Sequence, residues 1–258
     1  MSSPSPFDTL APAYDDTFTH SAIGTLQRRA VWRRLDAVFG PGDRVLELGC
    51  GTGEDAIHLG GRGVRVLATD AAEGMVAAAR RKVAGAGLAG AVSVRRLALE
   101  DLAELQEPPF DGAFSNFGGF NCTRDLGGPA RDLSSLLAPG ARLLLCVMGP
   151  LVPWEWVWFG LHGQPGKAFR RLKTGGAVWR GIPILYPSIR AVKRAFSPGF
   201  EARRAAAVGA FLPPSYTEGW AIRHPRLLAR LDRWERRWET LPPLPWLADH
   251  FLLELERR

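Results

Sequence analysis

With 258 residues, 46% of them hydrophobic and 23% charged, the chain has the make-up of a folded protein, either one large domain or a domain with a sizeable insertion. Its three cysteines, Cys50, Cys122 and Cys146, make neither a disulfide framework nor a metal-ligand spacing, so no metal is expected and a reducing cytoplasm fits. The net charge of +7 is unevenly spread: residues 1–150 carry 15 Lys/Arg against 17 Asp/Glu, residues 151–258 carry 18 against 9, and eight of the nine tryptophans fall in the second part.

The stretch 1–7 is rich in Ser and Pro, without a basic start or an apolar centre, and is not expected to be a signal peptide. Residues 7–20 read as a loose segment with aromatic anchors. Residues 25–39 read as an amphipathic helix, with Leu26, Val31, Trp32, Leu35 and Phe39 near helical spacing. After the Pro41-Gly42-Asp43 turn, 45–48 is brief and apolar, as a buried parallel strand should be. Three glycines follow at every second position, Gly49, Gly51 and Gly53, and a helix is expected from about Glu54. Glycines there let the backbone turn sharply and let a ligand approach without meeting a Cβ. Strand, glycine loop and helix together form a nucleotide cradle.

Charge indicates which nucleotide. A dinucleotide fingerprint needs Gly-x-Gly-x-x-Gly, with pyrophosphate on the helix N-terminus. Here Gly53 comes one residue early, Glu54 holds the dinucleotide position and Asp55 follows it. With Glu47, three carboxylates surround the loop; they would repel a pyrophosphate and suit a cation. S-adenosylmethionine (SAM) has no phosphate and carries an ammonium and a sulfonium. Asp70, at the end of the next strand (64–69), stands about 20 residues beyond the loop, where such cradles place their ribose partner. Arg28 or Arg29 is a candidate for the cofactor carboxylate.

The first 150 residues resemble the class I SAM-dependent methyltransferases, in particular the small-molecule branch that includes ubiquinone and menaquinone methyltransferases. The resemblance lies in Glu47-Leu48-Gly49-Cys50-Gly51-Thr52-Gly53, in Asp70 followed by Ala71-Ala72-Glu73-Gly74-Met75, in Glu100-Asp101-Leu102, and in Leu136-Leu137-Ala138-Pro139-Gly140-Ala141. Where many members carry Gly-Asp this chain has Leu97-Ala98, so the adenine amino group falls to Glu100 or Asp101 with a Leu99 backbone contact. The resemblance implies an α/β, Rossmann-like seven-stranded sheet with helices on both faces. It also implies SAM as cofactor, contacted by Glu47, Gly49, Cys50, Gly51, Gly53, Asp70, Ala71, Met75, Leu99 and Glu100. A Tyr-Asp pair such as Tyr14-Asp15 packs over the methionine end of the cofactor in the resembled enzymes, which makes Tyr14 a further candidate.

Beyond the loop, strand and helix alternate: 64–69, the Ala-rich helix 73–86, then 92–97, the pattern of a parallel sheet whose ligands collect beyond the carboxyl ends of the strands. The fourth strand, 111–115, runs into Asn116-Phe117-Gly118-Gly119-Phe120-Asn121. This tip would set amides and flat apolar surface beside the sulfonium, with Asn116 on the cofactor and Phe117, Phe120 and Asn121 on the acceptor; loop capping is the alternative for both asparagines. The Asn/Asp-Pro-Pro-Tyr/Phe signature of DNA and protein-glutamine methyltransferases is absent from it. The fifth strand is 141–148. The apolar stretch 143–161 contains Pro150, Pro153 and Glu155 and does not read as a membrane span.

The chain then divides into 1–40 (arm and helix), 41–148 (cofactor core), 149–186 (insertion), 187–208 (helix and strand of the core), 209–247 (second insertion) and 248–258 (last strand), the two insertions forming a mainly helical cap. In the first insertion Trp154, Trp156 and Trp158 are followed by the basic stretch 167–173, with Lys167, Arg170, Arg171 and Lys173, and then by Trp179-Arg180. A lid over an apolar or anionic small molecule, with Trp154, Trp158 and Arg170 on the acceptor, competes with a membrane-surface patch, with plain packing, and with nucleic-acid binding, which lacks a recognisable module. In the second, Pro225 opens a helix with Leu227, Leu228, Leu231, Trp234, Trp238 and Leu241 as its apolar stripe.

Methyl transfer from a sulfonium is an in-line displacement that needs no catalytic triad, and none is visible. An acceptor that must lose a proton would want a base, for which His20 and His162 are the candidates; His58, His224 and His250 read as structural. The expectation is a SAM-dependent methyltransferase for a small apolar, aromatic or anionic acceptor, lipid-like or a secondary metabolite. A noncatalytic SAM-binding or membrane-surface module stays open, a dinucleotide oxidoreductase is disfavoured by Gly53 and Glu47, and the oligomeric state is not specified.

Overall fold

The computed structural model describes residues 6–258, apart from the side chains of Thr17 and Phe18; the first five residues of the N-terminal stretch lie outside the described residues. The strands are β1 (Arg44–Leu48), β2 (Arg65–Asp70), β3 (Val92–Arg96), β4 (Phe110–Ser115), β5 (Leu137–Met148), β6 (Ala177–Trp179), β7 (Ile182–Ile184), β8 (Phe200–Val208) and β9 (His250–Arg257). The helices are α1 (Pro6–Tyr14), α2 (Ala22–Val38), α3 (Glu54–Gly60), α4 (Glu73–Gly85), α5 (Gly127–Leu136), α6 (Pro153–Leu161), α7 (Pro165–Ala168), α8 (Ile189–Phe196), α9 (Glu218–Arg223) and α10 (Pro225–Trp238).

Seven strands form one sheet in the order β3-β2-β1-β4-β5-β9-β8. The first five are parallel, and β9 runs antiparallel between β5 and β8. This is the α/β, Rossmann-like sheet expected from the sequence. Both faces are covered, which is why the central strands read as unbroken apolar runs. Val45 turns to one face with Val31 and Leu35 of α2, Leu59 of α3 and Val83 of α4. Leu46 and Leu48 turn to the other with Leu133 of α5 and Val192 and Phe196 of α8. Each such buried side chain contributes about 1.5–3 kcal/mol.

The cap is built as two insertions, and the first is less helical than expected: after α6 and α7 it closes with the β6–β7 hairpin. The second is fastened by carboxylates. Glu235 of α10 accepts from the backbone amides of Gly209, Ala210, Phe211 and Leu212. Glu218 accepts from the amides of Ala22 and Ile23, placing a negative charge on the N-terminus of α2, where Ser21 also caps Gly24. Leu228 and Leu231 of α10 are buried, whereas Leu227, Trp234, Trp238 and Leu241 of the expected stripe stay exposed.

The segment read as loose is helical. α1 has Pro12 in its interior and few local reasons to be a helix. It is held by tertiary contact, with Ala11 packed on Ala72 and Met75 and the Asp8 carboxylate accepting from the Gly74 amide. A Cβ on Gly74 would lie 2.9 Å from the α1 backbone, so only glycine permits that approach.

Candidate functional site

The glycine loop leaves β1 with positive φ at Gly49, Gly51 and Gly53, a conformation that residues with a Cβ reach only at a cost of about 1–2 kcal/mol. Asp70 clasps it: one carboxylate oxygen accepts from the Gly51 amide at 2.9 Å and the other from the Ala72 amide at 2.9 Å. Burial raises the Asp70 carboxyl above its usual range, against the lowering effect of those amides. Opposite, a Cβ on Gly49 would lie 3.5 Å from the Gly119 Cα, and one on Gly119 3.5 Å from the Leu48 carbonyl oxygen, so the tip of β4 sits directly against the loop.

A second carboxylate organises the neighbouring wall. Asp55, in the first turn of α3, accepts from Arg28 at 2.7 Å, from the Trp32 indole at 2.6 Å and from the Asn116 amide at 2.9 Å. The Arg28 guanidinium is buried and lies 5.1 Å from the centre of the Phe117 ring. Phe117 itself has φ +45, a left-handed conformation rare for a large side chain, immediately after β4. Strained backbone of this kind clusters at ligand sites.

These groups open onto a cavity of about 680 Å³, within the range of small-molecule sites. The core supplies Gly49, Gly51, Asp70, Met75, Leu99 and Glu100; the cap side supplies Arg170, Val178, Trp179, Ile184, Tyr186 and Tyr216. All three tyrosines of the chain line it, and burial pushes the phenols of Tyr14, Tyr186 and Tyr216 up, so they remain neutral hydroxyls. Burial likewise pushes the Cys122 thiol up to about 11. Among the described residues no His/Cys/Asp/Glu group could hold a metal ion.

Of the residues singled out from sequence, Tyr14, Gly49, Cys50, Gly51, Asp70, Ala71, Met75, Leu99, Glu100, Asn116, Phe117 and Arg170 line this cavity. The others are placed elsewhere. Glu47 is 1% exposed beneath the loop, its Oε2 lacking a partner, and burial pushes its carboxyl well up, with Asp55 adding to the rise. Gly53 packs on Ala79 of α4. Phe120 is core, against Phe196. Asn121 is a staple, donating to the carbonyls of Met148 and Leu185 and accepting from the Met148 amide, as the capping alternative allowed.

Trp154 belongs to the interior of the cap, beside Trp220, with its indole donating to Phe211 O. Trp158 stacks on His162, whose ring contacts the Trp158 carbonyl on the exposed end of α6. His20 is mostly exposed, beside Asp16. No histidine is among the residues lining the cavity. Sequence reasoning missed Asp55 as a hub, although its place in the first turn after the loop was a usable sign. It also missed Tyr186 and Tyr216, which stand alone in sequence and carry no sign at all.

Comparison with known proteins agrees with this architecture. The methyltransferase domain family matches residues 45–140. The demethylmenaquinone methyltransferase of Clavibacter sepedonicus is 33% identical over 152 residues, 57% of this chain and 58% of that protein. The chain thus spans somewhat under three fifths of that relative's length. Two solved structures share the fold. A SAM-dependent methyltransferase from Mesorhizobium loti aligns over 90% of this chain and 100% of its own, with a TM-score of 0.58 and 21% identity. The magnesium protoporphyrin IX methyltransferase of Synechocystis PCC 6803, solved with bound S-adenosylhomocysteine (SAH), aligns over 91% and 82%, with a TM-score of 0.56 and 18% identity.

Proposed function

We propose that the whole chain transfers a methyl group from SAM to a small apolar, aromatic acceptor, with an anionic substituent accommodated at Arg170; the match of residues 45–140 to the methyltransferase domain family supports this reading. The observation that carries the reading is the loop of three positive-φ glycines clasped by Asp70. Gly53 stands one residue early for a dinucleotide fingerprint, which favours a nucleoside without a pyrophosphate in this cradle.

The residues present fit SAM. Asp70 offers a carboxylate for ribose hydroxyls, Leu97, Leu99 and Glu100 line the cavity on the side where adenine lies in this reading, and Arg28, oriented by Asp55, offers a cation for a carboxylate. Tyr14 lines the same side, over the methionine end in this reading. When bound, SAM supplies an electrophilic methyl carbon. The task left to the protein is to hold the acceptor in line with it and keep water out; well-oriented groups reach effective molarities of about 10⁵–10⁸ M. Phe117, Trp179, Tyr186 and Tyr216 provide flat apolar walls for that purpose. Arg170 lines the cavity with its Nη2 donating to Glu155, and the guanidinium keeps further N–H donors for an acceptor oxygen. The neutral phenols hold hydrogen bonds rather than remove protons. His20 and His162, away from the cavity, have no part in this scheme.

The test is incubation with methyl-tritiated SAM and a panel of apolar phenols, hydroquinones and aromatic carboxylates, counting label in the organic extract. Transfer to at least one class, abolished by Asp70→Ala, supports the proposal. Absence of transfer by a protein that binds SAH favours a noncatalytic SAM-binding module.

A further inference from the structure

Every large apolar side chain exposed among the described residues lies in 149–186 or 209–247. In the first insertion Leu161 is 82% exposed, Val178 75%, Leu172 50% and Trp179 42%. They stand on three wholly exposed stretches, 160–167, 172–175 and 178–181, which also hold Lys167, Lys173 and Arg180. Glu155 is the one acidic residue of 149–186; it is 1% exposed and already paired with Arg170 and Arg171. The surface of this insertion is therefore apolar and basic, with no exposed carboxylate. Val178 and Trp179 also line the cavity, so its mouth opens within that surface.

We propose that the first insertion docks the protein on an anionic lipid bilayer, with the cavity mouth turned to the lipid. A bilayer matches both properties: tryptophan and aliphatic side chains enter at headgroup depth, and Lys and Arg meet anionic headgroups. Nucleic acid matches less of this surface: Phe169 and Trp179 offer faces on which bases could stack, but Leu161, Leu172 and Val178 have none. No described helix is long and apolar enough to cross a membrane, so the contact is peripheral. An apolar acceptor then enters from the lipid rather than from water; this last step rests on the methyl-transfer reading, whereas docking does not.

The test is co-sedimentation of the full chain with vesicles of phosphatidylcholine alone and of equimolar phosphatidylcholine and phosphatidylglycerol. Binding is expected to the anionic vesicles and to weaken with salt. Each basic side chain near an anionic leaflet contributes about fivefold, so Lys167→Ala/Lys173→Ala weakens binding roughly thirtyfold. Leu161→Ser/Leu172→Ser weakens it about tenfold or more. None of these four residues lines the cavity, so both variants keep the SAH affinity and melting temperature of the parent. No sedimentation with anionic vesicles, binding indifferent to both double variants, or tighter binding to a single-stranded RNA than to the vesicles would overturn docking. Failure to bind SAH would sink the methyl-transfer reading and leave the vesicle result standing.

Discussion

Replacing Arg171 by leucine should loosen the cap from the sheet. Arg171 is buried, and its guanidinium donates to Glu155 Oε1 at 2.9 and 3.2 Å, to Asp249 Oδ1 at 2.5 Å, and to the carbonyls of Gly149 at 3.2 Å and Asp249 at 2.9 Å. It thereby joins α6 to the start of β9. Removing one partner of a buried ion pair costs about 3–5 kcal/mol. Glu155 keeps Arg170, and Asp249 keeps His250 and Gln27, so the lower end applies, about 3 kcal/mol. At about 2–4 °C per kcal/mol for a chain of this size, the melting temperature should fall by roughly 6–12 °C.

The sign of its pH dependence follows from Asp249. Burial raises that carboxyl, but His250 and Arg171 outweigh it and hold it below the usual range. The charged pair therefore stabilises the fold above the unfolded carboxylate value of about 3.9, and that contribution is lost as pH falls further. In Arg171→Leu the burial is less opposed and Asp249 takes up its proton nearer neutrality. The difference in melting temperature should thus be largest near neutral pH and shrink toward about pH 3.5. Differential scanning calorimetry at both pH values checks this. A variant within about 2 °C of the parent, or a difference that does not change with pH, would refute the reasoning.

Other perturbations address the site. Gly51→Ala places a Cβ at φ +54 and should weaken SAH binding about 5- to 30-fold by titration calorimetry; an unchanged affinity would mean that the loop tolerates a side chain. Burial pushes the thiols of Cys122 and Cys146 up to about 11 and 12 and raises that of Cys50 as well. Native protein at about pH 8 should therefore react with a thiol reagent at least about a hundredfold more slowly than unfolded protein, and comparable rates would contradict the burial. Trp154→Ala should lower the melting temperature, since the indole packs in the cap interior, and leave SAH affinity unaltered; a lost affinity with an unchanged melting temperature would return Trp154 to the ligand site.

The core was legible because its signals are local. A short apolar run, glycines at every second position and an acid at the end of the next strand lie within 45–70, and the structure sets them around one loop. The β8 strand was readable for a similar reason, between a Pro-Gly turn and Gly209. The cap was not readable at this level, because composition says that tryptophans and arginines are present and not which way they face. Trp154 turned inward to meet Trp220, and Arg171 turned inward to meet Asp249, partners far away in sequence. α1 was missed since its helix depends on docking at Gly74 rather than on its own propensity. Of the histidines expected near the acceptor, His162 ended on the exposed end of α6, where the Trp158 carbonyl and ring meet it, and His20 ended exposed beside Asp16.

The central claim is that the Asp70-clasped glycine loop holds the nucleoside of SAM. Titration calorimetry of SAH into the parent protein and into Asp70→Ala tests it most directly. The parent should bind, and the variant should lose about 10- to 150-fold in affinity, the loss of a charged hydrogen-bonding group at the ribose. A folded parent that binds NADH but not SAH, or a variant that binds SAH as tightly as the parent, would contradict it.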